Sequence, residues 1–102
     1  MQANLLAART PDSCAVNQVY NVAVGARTSL NQLFSAIRDL VSQHFPHVRG
    51  AHAAYREFRP GDVRYSQADI ERIATSLAYI PTHTLMDGVR EAMPWYVERL
   101  AR

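Results

Sequence analysis

Phe58-Arg59-Pro60-Gly61-Asp62-Val63-Arg64-Tyr65-Ser66 brings a cation, a Pro-Gly turn and a carboxylate together in one short stretch. Glycine lets backbone approach a ligand closely, and proline pre-sets the turn. The reversal throws Arg59 and Asp62 to the same side. Arginine's planar fork matches a pyrophosphate, and an aspartate beside it suits a ribose hydroxyl. An exposed turn carrying only an ion pair would have the same sequence.

The other reactive side chains offer less. His44, His47 and His52 are close in sequence, but Pro46 breaks the helix between the first two. No acidic or cysteine ligand is well placed beside them, so they read as loop histidines and not as a metal site. Cys14 has no histidine next to it to activate a thiolate, and as the single cysteine it forms no intrachain disulfide. That usage fits a reducing, cytoplasmic setting. Trp95, Tyr96 and Tyr79 read as packing for the last helix. No residue of the chain is expected to be catalytic.

The elements that must position the turn come from a small chain of 102 residues, 48% hydrophobic and 20% charged, which is globular composition for a single domain. Its net charge of +2 rests on eleven arginines and no lysine. The arginines are scattered and do not line one helix face, which excludes a nucleic-acid or membrane footprint. No apolar run is long enough to span a bilayer, and the N-terminus has no basic segment leading a long apolar core. The chain opens directly in helical material without a capping residue, so it is expected to be part of something longer.

Residues 2–9 are predicted to form a helix ending near Pro11-Asp12. The β-branched run Val19–Val24, stopped by Gly25, predicts a short buried strand. Thr28-Ser29 then opens a helix carrying Leu30, Leu33, Phe34, Ile37, Leu40, Val41 and Phe45 on one face, with Ser29 and Gln32 spaced as a capping box, and Pro46 ending it. His47–Ala54 reads as loop and Ala54–Phe58 as a second strand. Asp69 is expected to cap a third helix with Ile70, Ile73, Ala74 and Leu77 inward. Thr84, with Asp87 three residues on, starts a fourth running to Leu100, and Pro94 inside it is expected to kink it. Two short strands cannot stand alone as a sheet, so they call for a partner domain or for self-association.

Taken in order, these pieces resemble the C-terminal part of nucleotide-sugar epimerases of the extended short-chain dehydrogenase/reductase family. The pattern is most similar to the bacterial UDP-N-acetylglucosamine 4-epimerases of surface-polysaccharide synthesis. Residues 2–8 resemble the family's helix after its Arg-Asp-Phe segment. Asn17–Gly25 with Arg27–Leu33 resembles its next strand and helix, and Phe58–Val63 its nucleotide-binding turn. Asp69-Ile70, Ala74, Leu77, Tyr79, Pro81-Thr82-His83 and Met93-Pro94-Trp95-Tyr96 are similar to its closing helices. Ala78 departs from the family's glycine; if that position needs a left-handed backbone, alanine costs about 1 kcal/mol. The loop His47–Ala54 is also longer than the family's.

The resemblance implies an α/β fold: a mostly helical substrate-binding lobe of about four helices and two or three short strands, with the Rossmann domain absent. It implies that Arg59 contacts the UDP diphosphate, Asp62 a ribose hydroxyl, and Arg27, more weakly, the nucleotide pocket. Ser66 falls where a bulky tyrosine restricts the family's pocket to plain hexoses, so serine implies an N-acetylhexosamine or hexosaminuronic substrate. The family's hydride chemistry needs NAD in a glycine-rich cradle and a Tyr-x-x-x-Lys pair. This chain has neither. It is therefore expected to be the UDP-sugar-binding portion of such an epimerase, not catalytic by itself, its partner being an N-terminal NAD-binding domain. The alternative is a stand-alone, self-associating interaction module.

Overall fold

The structure, a computed structural model, describes residues 1–101. Its helices are α1 (Gln2–Arg9), α2 (Leu30–Ser42), α3 (Glu71–Leu77) and α4 (Leu85–Leu100), with a 3-10 turn over Pro46–Gly50. The two long helices start where their polar residues dictate. The Ser29 hydroxyl accepts the Gln32 amide at 3.1 Å, and the Gln32 side chain accepts the Ser29 amide at 2.9 Å. Thr84 and Asp87 repeat this reciprocal capping at α4, at 3.2 and 3.0 Å. Each box satisfies two of the amides that a helix start leaves without partners.

Two boundaries differ from expectation. α2 ends at Ser42, before Pro46, and that proline instead opens the 3-10 turn. α3 begins at Glu71 with Ile70 at its cap position; the Asp69 carboxylate still accepts the Glu71 amide at 2.9 Å, but as a local turn. α4 holds Pro94 inside it, at the position expected; the missing N–H leaves one carbonyl of the preceding turn without its helical donor.

The expected α/β class is overturned. Among the described residues there is no strand and no sheet, so neither Val19–Val24 nor Ala54–Phe58 forms one. The chain divides into two compact units, Met1–Ala26 with Ser66–Thr82, and Arg27–Tyr65 with His83–Arg102. Each unit therefore holds one β-branched or alternating run and no second run for it to pair with. Extended backbone without a neighbour has no ladder to satisfy it.

In the first unit that ladder is replaced by side chains. Arg72 of α3 donates to the Val19 carbonyl at 3.4 Å and to the Gln18 side chain at 2.9 Å, with its guanidinium 5.8 Å from the Tyr20 ring. The Tyr79 hydroxyl donates to the Ala23 carbonyl at 3.3 Å, and the Gln67 amide to the Gly25 carbonyl at 2.8 Å. Gly25 itself is left-handed, at φ +76°, and a Cβ there would lie 3.1 Å from Ile70. Beneath this segment Ala3, Ala15, Ile73, Leu77 and Tyr79 form the core, with Ile73 only 2% exposed. α1 packs on α3, and the Gln2 side chain holds it there by donating to the Ile80 carbonyl at 2.7 Å. In the second unit α4 packs against α2, burying Leu40 and Met93, while Tyr55 donates to Asn31 at 2.9 Å.

α3 ends at Ala78, which is left-handed at φ 53° and ψ 36°. This is a conformation that glycine adopts without strain. The turn lets both Leu77 and Tyr79 enter the core while Ala78 stays exposed. Ala78→Gly relieves the Cβ strain, so urea unfolding should show a gain of about 0.5–1 kcal/mol; an unchanged or lowered midpoint contradicts the assignment. At α4, the hydrogen bond from the Thr84 backbone holds the Asp87 carboxyl below its ordinary range, aided by the Thr84 hydroxyl and the Arg90 and His83 charges. A lowered folded-state value means that Asp87 stabilises α4 at neutral pH and loses this as pH falls through that value. NMR titration should place its carboxyl midpoint below that of an ordinary aspartate; Asp87→Asn should remove the matching acid limb of stability.

Candidate functional site

Arg59, Pro60, Gly61 and Asp62 form a tight reversal in the second unit. The Asp62 amide donates to the Arg59 carbonyl at 3.0 Å, and Gly61 has φ +89°. Proline second and a left-handed glycine third define a type II turn. The Asp62 carboxylate closes the same turn again by accepting the Arg59 amide at 3.0 Å. The Arg59 guanidinium leans back on that carboxylate at 3.4 and 3.5 Å. Its side chain is nevertheless 85% exposed. An ion pair this open contributes at most about 1 kcal/mol, so an incoming anion displaces it at small cost.

Two more arginines are fixed to the flanks of the turn. The Arg64 guanidinium sits 5.1 Å from the Phe58 ring centre, and that of Arg27 lies 5.6 Å from the Tyr65 ring. Both distances are within cation–π reach. Arg64 and Arg27 are thus each held on an aromatic ring of residues 58–65, the segment that also carries Arg59 and Asp62. The exposed Arg59 fork, a bidentate donor, suits a phosphate group.

Ser66 belongs to the first unit. It caps no helix, since α3 starts five residues later with Ile70 at its cap. The next residue, Gln67, is the one pinned to Gly25. Gly25, Gln67, Ala68, Asp69 and Ile70 line a shallow depression of about 360 Å³ in that unit. The structure therefore brings Arg59 to Asp62 and Arg27 to Tyr65 within the second unit, and fixes the backbone that follows Ser66 within the first.

The remaining candidates hold nothing comparable. Among the described residues no group of histidine, cysteine, aspartate or glutamate could hold a metal ion. Cys14 is exposed, its amide donating to the Asp12 carboxylate at 2.9 Å. No described helix is long and apolar enough to cross a membrane. Arg72, Tyr79 and Gln67, which hold the segment leading to Arg27, were not legible as functional residues. Their partners lie 42 to 56 positions away in the chain, beyond any local motif.

No family model matches the chain, and no solved structure matches it significantly. Curated proteins do match it, among them one from Staphylococcus aureus. The chain is 27% identical over 86 residues to Protein CapI of Staphylococcus aureus, an alignment covering 84% of this chain and 24% of that protein. The chain thus spans about a quarter of the length of that curated relative.

Proposed function

We propose that the turn at Arg59–Asp62 binds the nucleoside diphosphate of a UDP-sugar, and that the chain is the substrate-binding portion of a UDP-N-acetylhexosamine 4-epimerase. The observation that carries this reading is the type II turn: Gly61 in its left-handed conformation sets an exposed arginine fork and a carboxylate on one short arc. Arg59 takes the diphosphate, with Arg27 adding charge from beside Tyr65. Asp62 takes a ribose hydroxyl through a carboxylate oxygen while it keeps the turn closed. The N-acetylated sugar rests on the resemblance alone, through the small Ser66, which caps no helix. The similarity to Protein CapI covers most of this chain and is compatible with the reading.

The family's chemistry would use NAD, and the residues of this chain do not fit that cofactor. Gly25, Gly50, Gly61 and Gly88 are isolated from one another, no lysine is present, and none of the described helices is entered through a glycine-rich turn. Hydride and proton transfer therefore fall to residues outside these 102. This chain's part is to bind and orient.

Calorimetric titration with UDP-N-acetylglucosamine tests the reading. Arg59→Ala should weaken binding by about tenfold or more, the scale of a lost charge-assisted contact. The loss should be larger for UDP than for UMP, because the fork serves the diphosphate. Equal affinities for wild type and variant, or no binding by either, contradict the proposal.

A further inference from the structure

α4 carries a graded apolar ridge apart from the Arg59–Asp62 turn. Gly88, Ala92, Tyr96 and Leu100 follow one another at four-residue intervals and form a single ridge along the helix. The ridge is graded: small at Gly88 and Ala92, bulky at Tyr96 and Leu100. All four border an open apolar groove of about 580 Å³ between α2 and α4, with Ile37 and Phe45 on its far wall. A Cβ built on Gly88 would meet nothing within 4 Å. Glycine inside a helix costs about 1 kcal/mol against alanine, and no contact within the chain requires it here. The bulky end stays in solvent: Tyr96 is 55% and Leu100 69% exposed, and Trp95 packs edge-on against Tyr96 at 4.8 Å.

We infer that this ridge is an interface between two copies of the chain, α4 against α4 in antiparallel orientation. Antiparallel placement sets Tyr96 and Leu100 of one copy over Gly88 and Ala92 of the other, and the two-fold repeats the fit. A large-small ridge of this kind is complementary to itself when reversed. The area agrees. Full exposure of an aromatic side chain presents about 150–250 Å², so the exposed parts of Ile37, Leu85, Trp95, Tyr96 and Leu100 leave on the order of 500 Å² of apolar surface. A standard interface takes about 800 Å² from each partner, a little over half of it apolar.

Sedimentation equilibrium of the 102-residue chain, from about 1 μM to 1 mM, tests this directly. Wild type should pass from monomer to dimer within that range. Gly88→Leu fills the small end of the ridge, and Leu100→Glu charges the large end; each should weaken dimerisation by about tenfold or more. Both sites have room or solvent around them, so the helical circular dichroism of each variant should match wild type and certify folding. Ile80→Glu, at an exposed position in the other unit, should leave dimerisation unchanged. A chain monomeric throughout overturns the inference and leaves the face to a different partner. A dimer that survives both Gly88→Leu and Leu100→Glu overturns it too, by placing the interface elsewhere.

Discussion

An extended backbone segment without a paired neighbour must find its hydrogen-bond partners elsewhere, and the first unit is organised around that requirement. Residues 18–25 have no ladder. Arg72, Tyr79 and Gln67 take over its role by donating to the segment's carbonyls and to Gln18. Those three donors are in place only because Ile73 and Leu77 seat α3 in the core and Ala78 turns the chain so that Tyr79 follows them inward. The strain at Ala78 is thus tied to the position of a segment more than fifty residues away. Apolar burial sets the frame, and side-chain hydrogen bonds complete what a sheet would otherwise have done.

The second unit meets a different demand. Its turn must keep a cation and a carboxylate close yet available. The left-handed backbone of Gly61 and the doubled closure by Asp62 supply the rigidity, since the amide-to-carboxylate bond does not use the Arg59 side chain. The guanidinium remains exposed and held only by a weak ion pair. Shape and charge are thereby separated: the turn persists when Arg59 leaves Asp62 for a ligand. Aromatic contacts at Phe58 and Tyr65 hold Arg64 and Arg27 nearby without neutralising them. The α4 ridge follows the same logic in apolar form, with a glycine that keeps space open at one end and bulk that projects at the other.

Local features were legible in the sequence and distant ones were not. Both capping boxes, the helical stripe of α2 and the Pro-Gly turn are written in residues a few positions apart. Their physics is equally local. The strands were misread because a β-branched run reports only that extended backbone is tolerated; whether a partner run lies beside it is a tertiary fact. Val19, apolar and 83% exposed, shows the difference. The anchoring by Arg72, Tyr79 and Gln67 left no trace for the same reason. At the candidate site, Arg59 and Asp62 could be paired from spacing alone, whereas the attachment of Arg27 to Tyr65 required the folded second unit.

The central claim is that a nucleoside diphosphate docks on the Arg59–Asp62 turn. The most direct measurement is a ¹⁵N NMR titration of the chain with UDP, following the amides of Arg59, Gly61 and Asp62 together with the Arg59 side-chain Nε–H. The account predicts saturable shifts at these resonances, with the Arg59 Nε–H moving most as the guanidinium exchanges Asp62 for phosphate. Saturable shifts confined to other residues, or an Arg59 Nε–H that does not move at saturating UDP, would contradict it.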